Sequence, residues 1–203
     1  MASSSTEIAN LALSHLGVGK EIASLTETSS EARACNRFYE TARDETLRAA
    51  EWGFARKVLA LGLIEEEPTE EWGFSYTYPA DCLFVRKIQS GVRSDTRSTV
   101  ISYELSYGTA ATVIFTDQED AIAEYTVKVT DVARFPVDFT TAVSYRLAYL
   151  AAPRVLSISN VAKIQADVLS KWREELAVAT AAAYNEEQRE EPSSASEFED
   201  ARE

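Results

Sequence analysis

His15 is the only histidine in this chain, and Cys35 and Cys82 are its only cysteines. These are the side chains best suited to nucleophilic or metal chemistry. A nucleophilic site needs an activated Ser or Cys beside a base, and His15 alone could be an imidazole base. It follows Leu11 by one turn, between Ser14 and Leu16, and reads as a helix-end or interface polar residue. The cysteines form no CxxC pair, so they read as reduced thiols in or near a core, not as a disulfide framework or a zinc site. GxSxG, GxGxxG and GxxxxGK[ST] are all missing from the sequence, so no Gly-rich phosphate cradle is expected. Glu65, Glu66, Glu67, Glu70 and Glu71 cluster in one stretch. Metal binding there is conceivable, but EF-hand spacing is absent and a solvated acidic loop is the simpler reading. The expectation is therefore a protein without catalytic residues, cofactor or metal.

Charge patterning is more informative. Across residues 83–103, Arg86, Lys87, Arg93 and Arg97 face only Asp95, a net of +3. Across 104–131, Glu104, Asp117, Glu119, Asp120, Glu124 and Asp131 face only Lys128, a net of −5. Adjacent patches of opposite sign suit a head-to-tail contact between identical subunits, which closes into a ring when the rotation is right. Arg86, Arg93, Arg97, Asp117, Glu119 and Asp120 are the candidate interface residues, between subunits or with a partner protein. Trp52-Gly53-Phe54 and Trp72-Gly73-Phe74 look like a repeat, but their flanks do not match, so coincidence is the reading.

The elements that must position these residues follow from periodicity. Ser4 and Glu7 have capping-box spacing ahead of Ile8, Leu11, Ala12 and Leu16, with Gly17 as the stop. Thr28 and Glu31 repeat that spacing before a long helix over 30–52. Its apolar stripe is Cys35, Phe38, Ala42, Thr46 and Ala49, with Tyr39 beside it and Arg33, Arg37, Arg43 and Arg48 on the polar face. The apolar run 59–64 fits strand or helix. Period-two alternation over 72–78, 83–89, 100–105, 112–115 and 125–129 predicts strands. Pro136 opens a helix with Phe139, Val143, Leu147 and Leu150 on one face, and a last helix spans 160–184 with Val161, Ile164, Val168, Trp172 and Ala179 inward. The expected class is α+β: a four-helix bundle with an inserted antiparallel β section. Residues 1–71 and 132–184 would be the two halves of the bundle, 72–131 the β extension, and 185–203 an acidic tail.

With 203 residues and 45% apolar side chains, the chain can bury roughly 70% of its unfolded surface. No apolar run approaches the ~20 residues of a membrane span, and the Ser-rich start, with no basic n-region or apolar h-region, is not expected to act as a signal peptide. The net charge of −13 disfavours nonspecific nucleic-acid binding and anionic membranes, and suits a wall that DNA slides past. From 186 to 203, eight acids face Arg189 and Arg202, a net of −6. Such a segment buries too little apolar surface to offset its ordering entropy, so alone it is expected to be disordered or extended.

Three segments together resemble the tail tubular protein A family, the head-to-tail adaptors of podoviruses and related phages. The first is EARACNRFYETARDETLRAAEWGFARKVLAL (31–61), after a helix ending Leu16-Gly17. The second, YPADCLFVRKI (78–88), is similar to a Leu-Pro-x-Asp-Cys-Leu-x-Val turn and strand. The third is EYTVKVTDVARFPVDFTTAVSYRLAYLAAPRV (124–155). The resemblance covers most of residues 7–184, and its order and spacing carry it rather than any single motif.

The resemblance implies a structural, non-enzymatic adaptor of the virion neck, made in the host cytoplasm. Self-assembly would give a ring of about twelve copies (a dodecamer). The ring would dock on the portal protein on one side and a downstream tail or nozzle protein on the other. Double-stranded DNA would pass through the bore during ejection without sequence-specific binding, and no membrane is involved. Tyr184, Arg189 and Phe198 are the expected portal-binding residues. The alternative readings are a head-completion or stopper connector of a long-tailed phage, and an acidic protein-binding module.

Overall fold

The computed structural model describes residues 4–92, 99–108, 111–157 and 161–186. They form helices α1 (Ser5–His15), α2 (Ser30–Ala49), α3 (Val137–Val155) and α4 (Val161–Glu186). The strands are β1 (Arg56–Ala60), β2 (Leu63–Glu66), β3 (Phe74–Thr77), β4 (Cys82–Ile88), β5 (Tyr103–Tyr107), β6 (Thr112–Thr116) and β7 (Ile122–Val127). Two antiparallel sheets result, one of three strands in the order β1-β7-β4 and one of four in the order β2-β3-β6-β5.

Local chemistry sets the helix limits. The Ser4 hydroxyl accepts from Glu7 N at 3.2 Å and starts α1. Gly17, at φ +73°, ends it in the left-handed region that glycine enters without cost. The cap of α2 is Ser29, whose Oγ accepts from Ala32 N at 3.3 Å, and not Thr28 as the capping-box spacing predicts. A run of small residues, Ala142, Ser144, Ala148, Ala151 and Ala152, lets neighbours approach α3 closely. That helix is the hub, packed against α1, α2 and α4.

Two hydrophobic cores result. One lies among the helices, built on Ile8, Leu13, Cys35, Leu47, Phe139, Val143 and Leu147. Trp52, Phe54 and Phe135 close it against Phe139, with ring centroids 4.8–5.0 Å from the Phe139 ring. Each such edge-on pair is worth about 1 kcal/mol beyond the area it buries. The second core lies between the sheets: Tyr76, Val85, Ile88, Ile114, Ala121, Ala123 and Tyr125.

The chain is α+β, but the expectation of a four-helix bundle with an inserted β section is overturned. Four helices and two antiparallel sheets, of three and four strands, are the architecture. In a bundle each helix flanks two others around a shared core; here α4 packs principally on the central α3. Strand structure also begins at Arg56, so β1 and β2 lie within the stretch expected to be half of the bundle. Every residue of β1 and β2 is exposed. Period-two alternation appears only when one face of a strand is buried, so these two strands left no such pattern. Arg43 departs from its expected polar face as well: it is buried, with Nε on Asp44 Oδ1 at 2.8 Å. The acidic tail from 187 onward lies outside the described residues.

Candidate functional site

Helix α2 ends at Ala49 with its last carbonyls pointing toward the sheets. Such carbonyls have no partner within their own helix. The Trp52 indole donates to Thr46 O at 2.9 Å. Arg86, from β4, serves further carbonyls at this end. Its Nη2 donates to Leu47 O at 3.1 Å, Arg48 O at 3.1 Å and Ala50 O at 2.6 Å, and its Nε donates to Thr126 Oγ1 at 2.8 Å. A guanidinium here meets both the orphan acceptors and the negative end of the helix dipole. Burial lowers its pKa, an effect that nearby Glu51 opposes without reversing. Phe84 lies beneath, 4.7 Å from the Arg86 guanidinium and 5.3 Å from that of Arg48.

Beside this cap sits Glu124, only 3% exposed. Its carboxylate meets Arg56 Nε at 2.7 Å and Lys87 Nζ at 3.9 Å. An unpaired charge at that depth would be costly, so losing its cationic partners would destabilise the fold. In the cleft lined by Glu51, Trp52, Arg56, Arg86 and Glu124, Arg56 is committed to Glu124, Trp52 to Thr46 O, and Arg86 to the α2 carbonyls and Thr126. Arg86, bonded from β4 to the end of α2, locks the helical core to the three-stranded sheet, while the Glu124 pairs tie the strands of that sheet together.

His15 bridges α1 to α3. Its ring stacks on Tyr145, with centroids 3.9 Å apart and planes 10° apart, and Nε2 lies 3.0 Å from Ser144 Oγ. The one hydroxyl hydrogen of Ser144 goes to Thr141 O at 2.7 Å, so Nε2–H is the donor to Ser144. That is the reverse of a general base taking a serine proton. Burial lowers the His15 pKa. Burial also pushes the Cys35 thiol up to about 11 and raises that of Cys82, which keeps both protonated at neutral pH. Among the described residues, no group of three or more His, Cys, Asp or Glu side chains could hold a metal ion, and no helix is long and apolar enough to cross a membrane.

The residues expected at interfaces fall in different places. Arg86 is committed to the α2 cap. Asp117, Glu119 and Asp120 are exposed in the turn between β6 and β7. Asp117 Oδ1 there accepts from Gly73 N at 2.9 Å, and Asp120 takes a left-handed φ of +50°. Tyr184 belongs to the last turns of α4. Arg93, Arg97, Arg189 and Phe198 lie outside the described residues.

Sequence reasoning missed the buried Glu124 pair and the exposed apolar residues of β1 and β2: Val58, Leu59, Leu63 and Ile64, each 41–53% exposed. The ambiguous apolar run 59–64 was the one trace of the second group. No family model matches the chain, and no curated protein matches it.

Proposed function

We propose that this chain is a structural adaptor of a tailed-phage neck, whose copies join the portal vertex to the tail around the DNA channel. The observation that carries this reading is the division into two cores joined where Arg86 of β4 caps α2, each core with its own exposed apolar groups. Val137 and Val178, 56% and 63% exposed, stand on the helical part. Leu105 and Tyr107, 47% and 77% exposed, stand on the four-stranded sheet. Apolar surface on both the helices and the four-stranded sheet suits a spacer gripped by a different protein on each.

Neighbouring copies meet through Arg93 and Arg97 of the basic stretch and the acidic turn at Asp117, Glu119 and Asp120, a heterologous contact that closes into a ring. The net charge of −13 keeps passing DNA from sticking to the wall. The test is order of addition. The purified chain is mixed with portal-bearing, tailless heads, which are pelleted and then offered the downstream tail protein. The chain pellets with the heads and the tail protein follows only in its presence. A chain that stays in the supernatant, or a tail protein that binds without it, would overturn the reading.

A further inference from the structure

Phe84 of β4 is 37% exposed and lies between two guanidinium groups, that of Arg86 at 4.7 Å and that of Arg48 at 5.3 Å. An aromatic ring takes up the face of a guanidinium and leaves its in-plane N–H donors for acceptors. Arg86 commits its donors to the α2 carbonyls and Thr126. Those of the exposed Arg48 meet no acceptor among the described residues, and no described carboxylate forms an ion pair with either arginine. Arg43, Arg56 and Arg146, by contrast, each pair with an acid. In a chain of net charge −13, an exposed ring between guanidinium groups that lack a counter-ion fits an aromatic residue flanked by acids.

Past α4 the chain carries such a segment. Phe198 is the only large apolar residue beyond Glu186, and Glu197, Glu199 and Asp200 surround it. Arg146 on α3 shows where that segment starts. It bonds Glu45 of α2 at 2.6 Å and its guanidinium lies 4.7 Å from the Trp172 ring of α4, so Glu45 and Trp172 are level. Both helices run antiparallel to α3: Arg154 meets Phe38 and Phe139 meets Trp52, while Tyr149 meets Gln165. Helix α2 stops at Ala49, about one turn past Glu45, whereas α4 runs to Glu186, about four turns past Trp172. Helix α4 thus outruns α2 by ~15 Å at the end where Arg86 caps α2. From Glu186 to Phe198 an extended chain spans up to ~40 Å, enough to double back over that end. Phe38, between Arg37 at 5.9 Å and Arg154 at 5.7 Å, is a similar arrangement at the opposite end of α2. Its ring is half-buried on the helical core, and it serves as the control.

We infer that the segment around Phe198 folds back onto the Arg48–Phe84–Arg86 cluster of its own chain, its ring against Phe84 and its acids on Arg48. The contact belongs to the free chain and does not rest on the adaptor reading. A portal that binds Phe198 takes the place of the cluster.

The experiment is photo-cross-linking of the full chain with p-benzoylphenylalanine in place of Phe198, irradiated at low concentration and mapped by mass spectrometry. The cross-link forms within one chain, to the peptide carrying Phe84 or the one carrying Arg48. Arg48→Glu lowers its yield about tenfold, a loss of one charge-assisted contact and its replacement by repulsion, and Arg154→Glu leaves it unchanged. Adding Glu197→Arg and Glu199→Arg to the Arg48→Glu chain restores it. Arg48 is exposed, and an unchanged melting temperature verifies that its replacement leaves the fold intact. A cross-link that forms only between two chains, or beside Phe38, or not at all, overturns the inference. So does a yield indifferent to Arg48→Glu, or one that the reversed acids do not restore; none of these results bears on attachment to portal.

Discussion

Gln165 Nε2 on α4 donates to the Tyr149 carbonyl on α3 at 3.0 Å, and Tyr149 is the residue four places before Pro153, which sits inside α3. Proline has no amide hydrogen, so the Tyr149 carbonyl has no helical donor at that position. Gln165 fills the gap from the neighbouring helix. Arg146 strengthens the same seam, its guanidinium 5.0 Å from the Tyr149 ring and 4.7 Å from the Trp172 ring. The imperfection in α3 is thereby part of what holds α4 in place.

Replacing Gln165 with Ala should cost about 1–2 kcal/mol, the loss of a hydrogen bond to a part-buried carbonyl. In a Pro153→Ala background the new amide can take that carbonyl, and the cost should fall below about 0.5 kcal/mol. Urea denaturation of the four proteins checks this. Equal losses in both backgrounds would show that the two residues are not coupled.

Arg86→Ala should destabilise the fold by about 2–3 kcal/mol, since the carbonyls of Leu47, Arg48 and Ala50 lose a charged donor together. Arg86→Lys should recover at most half of this, because an ammonium cannot reproduce the fork. Thermal melts of the three proteins measure both values, and a neutral Arg86→Ala would remove the lock from the account.

Helices α1 to α4 could be read from the sequence because each buries one stripe and exposes another. The same logic explains what could not be read. A strand exposed on both faces, such as β1, has no alternation to detect. Arg86 is separated from its partners Leu47 and Ala50 by 39 and 36 residues, so no spacing signals the contact and its charge looked like interface surface. Arg43 carries the residue type of a polar face and is buried all the same, because its carboxylate partner, Asp44, is the next residue. The bundle expectation failed for a related reason: periodicity reports which face is buried, not which element covers it.

Stability should depend on pH through His15. Its pKa is lowered in the folded protein by burial, so the unfolded chain binds the proton more readily. The stabilisation is fully present above the unfolded value of about 6.5 and is lost as pH falls through the lower folded value. The melting temperature should therefore drop as pH falls below about 6.5, and His15→Gln should flatten that drop. Parallel curves for the two proteins would contradict the assignment.

Removing residues 185–203 should abolish attachment to portal-bearing heads while leaving the melting temperature within about 2 °C, because an acidic segment with one large apolar residue adds little to a core. Co-sedimentation of the truncated chain with heads checks this. Normal attachment would shift the portal contact away from Arg189 and Phe198.

The central claim is that copies of this chain surround a channel at the portal. Electron microscopy of the purified chain bound to isolated portal tests it most directly. Averages should show a closed ring of copies coaxial with the portal, with an open bore wide enough for a DNA duplex. A portal bare of the chain, or one carrying scattered single copies with no closed ring, would contradict it.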